Sequence, residues 1–338
     1  MERLSLSNSA FEGNNNAYLF ADGAETVLVD TGDRTDRTRA QLEGGLAEHG
    51  VAFADVDRIL LTHWHGDHAG LAGAIQAESD ATVYVHPRDA PLVEGDEDAW
   101  AEMHAIQERY FDEWGMPESK RSALREVLAD FKSMGDPADV TRIEDGDRIA
   151  FDGYELTVRH VSGHAAGLCI YEFDHDGRYE VFTGDAVLPV YTPNVGGADV
   201  RVDRALAKYL QGLGRIVEAD YDRGWPGHRD PIDDPAGRAR TILQHHEDRT
   251  LRVLDVLRRR GPCDAWTVSA ELFGELESIH ILHGPGEAFA HLEHLEHSGG
   301  VVREGDDYRL VDDVTAVLEA DADRETILGV SGYAEFDS

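Results

Sequence analysis

Hydrophobic residues recur along the chain in two patterns: short apolar runs, and stretches in which apolar residues lie three or four positions apart. Runs rich in Val, Ile, Leu, Tyr and Phe and bounded by Gly, Asp or Pro are typical of buried β-strands. They predict strands at 17–21, 25–30, 57–62, 81–85, 148–160, 168–173 and 179–183. Helical spacing predicts helices at 36–48 and 68–78. Two similar strand-and-helix halves favour two β-sheets packed face to face, with helices outside.

A long helical stretch from about 95 to 135 interrupts this alternation. Its residues Trp100, Met103, Ile106 and Tyr110 are spaced three or four apart. Two interpretations stay open. The stretch is either an insertion that covers a cleft and contacts a substrate, or a helix pair whose aromatic side chains only pack.

The last third of the chain follows another pattern. A long helix is predicted from Asp234, a suitable N-cap followed by proline, to about Arg260. Two more helices and a strand pair follow at 265–273, 287–297, 300–303 and 308–311. Helices followed by a hairpin are typical of a winged-helix domain. We therefore predict a catalytic domain at 1–245 and a small winged-helix-like domain at 246–338.

The densest group of candidate ligands follows the strand at 57–62. His63, His65, Asp67 and His68 have the form H-x-H-x-D-H, with Trp64 and Gly66 between them. On a helix, residues two apart do not face each other, so these side chains would not converge. In a loop, imidazoles and a carboxylate can close on a divalent cation, and zinc is the first expectation. A chance cluster of solvated histidines is the alternative, and the density of ligands argues against it.

This motif resembles the signature of the metallo-β-lactamase-fold hydrolase superfamily. Three later segments resemble the remaining ligand motifs of that family, in the same order: Gly163-His164, Thr183-Gly184-Asp185 and Gly227-His228. The resemblance covers roughly residues 10–240. It implies an α+β fold, an αββα sandwich. The C-terminal pattern resembles the branch of the superfamily that includes glyoxalase-II-like hydrolases and a mitochondrial endoribonuclease.

The resemblance also implies a division of labour among the ligands. His63, His65 and His164 would hold one cation, Asp67, His68 and His228 a second, and Asp185 would bridge the two. Two divalent cations, expected to be zinc with iron or manganese as alternatives, would supply a bridging hydroxide near neutral pH.

Three further residues have candidate roles near these ligands. Asp67 would also position the hydroxide, which makes it a catalytic candidate. Tyr191 is a second candidate, for orienting a substrate carbonyl. Asp30 either orients a ligand histidine from behind or only ends a strand.

Fold and metals do not select a substrate within such a family. The leading hypothesis is hydrolysis of a small acyl ester or thioester. The alternatives are an endoribonuclease or phosphodiesterase of the same superfamily, or a lactonase. Residues 246–338 hold 8 basic against 21 acidic residues, which argues against a nucleic-acid partner. The C-terminal histidines at 291, 294 and 297 cannot all converge from one helix, so we interpret them as surface or packing residues.

The amino-acid composition indicates the conditions in which the protein works. The chain has 67 acidic and 31 basic residues, a net charge of −36, and its lysines are only Lys120, Lys132 and Lys208. This pattern is typical of proteins from salt-accumulating halophiles, and an ordinary acidic protein is the alternative. No 18-residue apolar run occurs, so we expect no membrane partner and a cytoplasmic location. Cys169 and Cys263 are expected to be core thiols. The oligomeric state has no signal in the sequence.

The charge generates a prediction about salt. Lowering salt from molar concentration to about 0.1 M lengthens the Debye length from about 3 Å to about 10 Å, so acidic groups repel one another over a greater range. We expect the melting temperature to fall across that change. A melting temperature that stays constant between about 1 M and about 0.1 M KCl would contradict the halophile interpretation.

Overall fold

The computed structural model describes residues 1–8, 13–130 and 135–311. Its strands are Glu2–Leu6 (β1), Asn15–Phe20 (β2), Val27–Val29 (β3), Arg58–Leu60 (β4), Thr82–Val85 (β5), Val140–Arg142 (β6), Arg148–Phe151 (β7), Tyr154–His160 (β8), Cys169–His175 (β9), Arg178–Gly184 (β10), Arg223–Pro226 (β11), Val301–Glu304 (β12) and Asp307–Leu310 (β13). Its helices are Asp36–Glu48 (α1), Gly66–Ala69 (α2), Ala72–Ser79 (α3), Ala90–Val93 (α4), Glu97–Glu113 (α5), Glu118–Asp130 (α6), Ala205–Ala219 (α7), Pro235–Arg260 (α8), Ala265–Phe273 (α9) and His280–His297 (α10).

Two sheets form the centre of the molecule. The first has the order β1-β2-β3-β4-β5-β6, antiparallel up to β3 and parallel from β3 onward. The second has the order β11-β10-β9-β8-β7, antiparallel except for the parallel pair β10 and β11. The parallel strands β4 and β11 both end next to loops that carry candidate ligands.

Side chains along each strand point alternately to two hydrophobic cores, one between the sheets and one beneath the outer helices. In β3, Val27 and Val29 face the layer between the sheets, whereas Leu28 between them packs on the helix side. In β4, Leu60 and Ile59 divide in the same way. Successive side chains of a strand point to opposite faces, so each sheet is covered on both sides. The result is the predicted αββα sandwich.

Aromatic rings fill the layer between the sheets. Phe20 lies 5.2 Å from Phe151 and 5.9 Å from Phe182, measured between ring centroids, and Phe173 stacks on Phe182 at 4.8 Å. Burying one such side chain contributes about 1.5–3 kcal/mol to the free energy of unfolding. This layer therefore holds the two sheets together independently of any ligand.

The C-terminal region has the predicted succession of helices and hairpin. Asp234 accepts a hydrogen bond from the amide of Gly237 at 2.7 Å, which confirms it as the N-cap of α8. Helix α8 runs without a break through residue 245, where the domain boundary was predicted, and it packs on α7, α9 and α10. The winged-helix and domain assignments stay predictions, and residues 312–338 of the second domain lie outside the described part of the chain.

Several boundaries differ from the prediction. Helix α10 begins at His280 rather than at 287. It continues through Gly284, Pro285 and Gly286, although such residues usually mark a helix end. The helix predicted at 68–78 is two helices, α2 and α3. Strand β1 was not predicted, and it forms the edge of the first sheet.

Other expectations concern the thiols and the insertion. Cys169 and Cys263 are free, buried thiols, as predicted. The insertion consists of α5 and α6 in its described part, and residues 131–134 lie outside that part. Among the described helices, none combines the length and the apolar character needed to cross a bilayer.

Candidate metal centre

The H-x-H-x-D-H segment leaves the first sheet at the end of β4 and turns into α2. His63 and His65 precede α2, whereas Asp67 and His68 lie within its first turn. His63 and His68 are buried, and His65 and Asp67 are half-buried. The loop and the short helix therefore present all four side chains at one end of the sandwich.

Three histidines form what we call the first cluster: His63, His65 and His164. His164 comes from the loop after β8. His65 Nδ1 lies 2.9 Å from His63 Nε2 and 3.2 Å from His164 Nε2. Three imidazole nitrogens brought this close together match the donor set of a zinc-type cation.

Asp67, His68 and His228 form the second cluster. His228 follows β11. Asp67 Oδ2 lies 3.5 Å from His228 Nε2 and 3.9 Å from His68 Nε2. The ligand atoms of each cluster lie within 4.8 Å of one another, so each cluster has the size of a single cation site.

The carboxylate of Asp185 lies between the two clusters. Its Oδ1 is 3.5 Å from His68 Nε2, and its Oδ2 is 3.3 Å from His228 Nε2 and 3.6 Å from His164 Nε2. Gly184, at the end of β10, has a φ of +47°, and a Cβ there would come within 2.8 Å of a neighbouring side chain. Glycine therefore permits the turn that brings Asp185 into contact with both clusters.

In four of the five histidines, the ring nitrogen that points away from the two clusters forms a hydrogen bond with another group of the protein. The acceptors are Thr62 Oγ1 for His63 (3.0 Å), Ala198 O for His65 (3.3 Å), Asn194 O for His164 (2.8 Å) and Asp30 Oδ2 for His68 (2.8 Å). A carbonyl or carboxylate oxygen only accepts, so the outward nitrogen carries the proton. When such an imidazole is neutral, its inward nitrogen keeps the lone pair that a metal ligand requires.

Asp30 links two of these histidines. Its Oδ1 accepts the amide of Thr62 at 2.8 Å, and its Oδ2 accepts both the hydroxyl of Thr62 and Nδ1 of His68. Thr62 in turn accepts from His63. Asp30 therefore orients the ring of His68, which supports the expected role behind a ligand histidine, and its backbone has a positive φ of 58°.

The protonation states differ among the ligands. Burial alone would lower the pKa of His68, but Asp185 and Asp67 outweigh it and raise it well above its ordinary value, so this imidazole would release a proton on binding a cation. Burial lowers the pKa of His63 well below its ordinary value, so this imidazole is neutral. Burial alone would raise the pKa of Asp185, but His228 and His68 outweigh it and hold that pKa well below its usual range. Buried His68 Nε2 and Asp185 Oδ1 have no hydrogen-bond partner. Buried polar atoms normally have one, and a divalent cation would satisfy both.

A buried ion cluster that the sequence did not reveal lies behind the site. Arg201 contacts Asp89 at 2.8 Å and Asp199 at 2.6 Å. Asp89 accepts the amide of Gly167 at 2.9 Å, and Asp199 accepts the indole N–H of Trp64 at 3.0 Å. Burial raises the pKa of Asp89 to about 7 despite the arginine. Through Trp64 and Gly167 the cluster fixes the loops that carry His65 and His164.

His160, at the end of β8, lies next to the loop that carries His164. Its Nε2 donates to Ala166 O at 2.9 Å, and its ring stacks on His86 with centroids 4.0 Å apart. Burial lowers its pKa. His160 is thus a neutral residue that supports the loop of His164.

The first and second clusters open into a cavity of about 730 Å³. Helices α5 and α6 of the insertion and α10 of the C-terminal region contribute to its walls. Its apolar lining includes Leu92, Val93, Trp100, Met103, Leu128, Ile279 and Leu282. His104 also lines it, so this residue faces the cavity although it is exposed. Of the two interpretations of the insertion, the structure supports a cover over the cleft.

Tyr191 does not lie with the other predicted residues. Its side chain is 47% exposed, its ring packs on the guanidinium of Arg229 at 4.6 Å, and it is not among the residues that line the cavity. Its predicted role in orienting a carbonyl stays a prediction, and its position does not support it.

The C-terminal region contains another group with metal-ligand chemistry: His246, Glu287 and His291. His291 Nδ1 donates to Thr250 at 2.8 Å, His246 Nδ1 lies 3.3 Å from His291 Nε2, and Glu287 is ion-paired with Arg249. These protein partners fit the expected packing role of His291.

A sandwich of two sheets that gathers five histidines and two aspartates at one end belongs to the class of metal-dependent hydrolases. The family model of the metallo-beta-lactamase superfamily matches residues 10–228, and the chain belongs to this superfamily.

Known relatives agree with this assignment. The chain is similar to a probable metallo-hydrolase of Bacillus subtilis, 26% identical over 286 residues that cover 82% of this chain and 86% of the relative. A crystal structure of a metallo-beta-lactamase family protein from Thermus thermophilus is 30% identical, with a TM-score of 0.80 and coverage of 92% of this chain and 98% of that one. A beta-lactamase domain protein from Burkholderia ambifaria shares the fold, with a TM-score of 0.75 at 24% identity and coverage of 91% of each chain.

The position of Asp185 generates a prediction. Asp185→Asn keeps the size of the side chain and removes the charge that both clusters share. We expect loss of the more weakly held cation and a fall in activity of about a hundredfold or more, because removing one electrostatic element of a site commonly costs about 10²–10³. Elemental analysis and turnover measure the two effects.

Asp36→Asn, at the exposed start of α1, is the control and should leave both unchanged. Retention of two cations and normal turnover by Asp185→Asn would show that the bridging role is assigned to the wrong residue.

Proposed function

We propose that this protein is a dinuclear metal hydrolase that cleaves small acyl esters or thioesters. The observation that carries the proposal is the carboxylate of Asp185, which lies within 3.6 Å of ligand atoms from both clusters beside a largely apolar cavity. The hydrogen bonds made by the outward ring nitrogens of four histidines support the same assignment of ligands.

The first cluster would hold one cation and the second cluster another, with Asp185 shared. The donors are mostly imidazoles, which suits zinc and also allows iron or manganese. When bound, two such cations lower the pKa of a shared water toward neutrality and polarise the substrate oxygen.

The residues of the chain contribute positioning and exclusion of water. Asp67 receives hydrogen bonds from the side-chain amides of Asn15 and Asn8, each at 3.2 Å to Oδ2. This fixes its carboxylate at the cavity, where it can accept a hydrogen bond from the attacking water. Trp64 and Trp100, with ring centroids 5.6 Å apart, are both part of the wall and keep bulk water from that side.

The cavity suits an apolar acyl group. Side chains from α5, α6 and α10 supply hydrocarbon surface, while His104 and His283 supply hydrogen-bonding groups to the same space. A mostly apolar pocket with a few polar groups is typical of small-molecule sites. The acyl part would lie against Trp100 and Met103, with the carbonyl toward the metal clusters.

Charge argues against the phosphodiesterase alternative. Among the described residues that line the cavity, Arg34 is the single arginine or lysine, and it is paired with Asp136 at 2.7 Å. Phosphate backbones bind through several such cations. Lactones need the same chemistry as esters, so a substrate screen must separate them.

We also propose the branch of the superfamily to which the chain belongs and its adaptation to salt. Three helices followed by the β12–β13 hairpin support the glyoxalase-II-like branch with a winged-helix-like C-terminal region. The net charge of −36 supports a salt-adapted protein.

Metal content is the direct test of the two-cation proposal. Protein purified without chelators should contain two divalent ions per chain by elemental analysis, with zinc predominant. Removal by a chelator should abolish hydrolysis, and adding zinc should restore it. One ion or none in the active protein would contradict the dinuclear mechanism.

Acyl-chain length tests the cavity. Each added methylene that becomes buried contributes about 0.8 kcal/mol, so two methylenes should raise kcat/KM by about tenfold. We expect thioesters to follow this trend from acetyl to hexanoyl in molar salt, and Met103→Ala to weaken it. A better rate on lactones or short RNA than on any thioester would favour the alternatives.

A further inference from the structure

The loop at 194–198 determines the orientation of two ligands in the first cluster. The carbonyl of Asn194 accepts Nδ1–H of His164 at 2.8 Å, and the carbonyl of Ala198 accepts Nε2–H of His65 at 3.3 Å. A displacement of this loop would change the direction of both imidazole rings. Such outer partners commonly change metal affinity by about 10–100-fold.

The side chain of Asn194 joins this loop to the C-terminal helix α10. Its Oδ1 accepts the amides of Gly197 at 3.1 Å and Ala198 at 2.8 Å, which closes the loop. Its Nδ2 donates to His283 O at 3.1 Å and to Glu287 Oε2 at 3.2 Å, both on α10. The loop is therefore hydrogen-bonded to α10 through a single amide.

Glu287 is itself held in place. It is buried with 8% of its surface exposed, and its other oxygen pairs with Arg249 of α8. A buried carboxylate is stable only when it is paired and hydrogen-bonded, so Glu287 has little freedom to move. Asn194 thus binds to a fixed point of the C-terminal region.

Two glycines bring the backbones of loop and helix into direct contact. A Cβ on Gly286 would lie 2.4 Å from Cα of Gly197, and a Cβ on Gly196 would lie 2.6 Å from the carbonyl oxygen of Gly286. Both neighbours are backbone atoms, which cannot turn aside as the end of a side chain can. The contact has no room for even a methyl group.

We propose that α10 is a positioning element for the first cluster, acting through Gly286, Glu287 and Asn194. The C-terminal region thereby influences, through His65 and His164, how tightly the first cluster holds its cation. In the second cluster, His68 is held by Asp30 at the end of β3, which also reaches His63 of the first cluster through Thr62. This inference rests on the proposed function, since it takes the two clusters as cation sites.

Gly286→Ala is the test, and Gly284→Ala is its matched control in the same helix. The added methyl at 286 meets the 194–198 loop, whereas the methyl at 284 meets Leu276 Cδ1 at 2.3 Å and Ser269 Oγ at 2.7 Å, away from the loop. Zinc is titrated into metal-free protein against a competing chelator, and the melting temperature of each metal-free protein is recorded.

The wild type should show two binding steps, and His164→Ala identifies the step that belongs to the first cluster. We expect Gly286→Ala to weaken that step by about tenfold or more and to leave the other unchanged. Gly284→Ala should lower the melting temperature without a selective effect on either step. Equal affinities in Gly286→Ala and wild type, or equal losses in both glycine variants, would overturn the inference.

A second variant covers the case in which Gly286→Ala does not fold. Asn194→Asp keeps the acceptor for Gly197 and Ala198 but places a second carboxylate beside Glu287, so it should weaken the same step. Adding Glu287→Gln restores a donor between the two side chains and should recover the affinity. If the single variant binds like wild type, the inference is wrong. A wild type with fewer than two steps refutes the dinuclear proposal itself.

Discussion

At the centre of this protein, ionisable side chains lie close together and largely out of water, and each of their polar atoms needs a hydrogen-bond or ionic partner. Five imidazoles and two carboxylates near one point would be costly if their polar atoms had no partners. The surrounding protein supplies part of these partners: two carbonyls, a hydroxyl and one buried carboxylate accept hydrogen bonds from the outward N–H groups of four histidines. What remains inside is a set of inward ring nitrogens and two carboxylates, which a pair of divalent cations would bind.

Two separate parts of the scaffold supply those outer acceptors. Asp30, at the end of β3, supports His68 directly and His63 through Thr62. The loop at 194–198 supports His65 and His164. The first support belongs to the central sheet, whereas the second is packed on α10, so the two clusters can differ in how firmly they are held.

The sequence predicted the parts of the site that are local. His63, His65, Asp67 and His68 follow one strand, and Asp30 ends its neighbour, so spacing and strand patterns were enough. Asp89, Asp199 and Arg201 were missed because nothing local marks them: Asp89 and Arg201 are 112 positions apart and meet only through the fold. The start of α10 was missed because a Gly-Pro-Gly segment such as 284–286 usually marks a helix end. The small size of Gly284 and Gly286 instead serves contacts with α9 and with the loop at 194–198.

The position of α10 also bears on how the chain is divided. Helix α8 passes through residue 245 without interruption, and α10 contributes His283 and Leu282 to the cavity while Glu287 binds Asn194. A boundary drawn through α8 would therefore separate the first cluster from the helix to which its supporting loop is hydrogen-bonded. The insertion has a similar relation to the site, since α5 contributes Trp100 and Met103 to the same wall. The sandwich brings the ligands together, and the segments added to it decide how the ligands are held and what fits beside them.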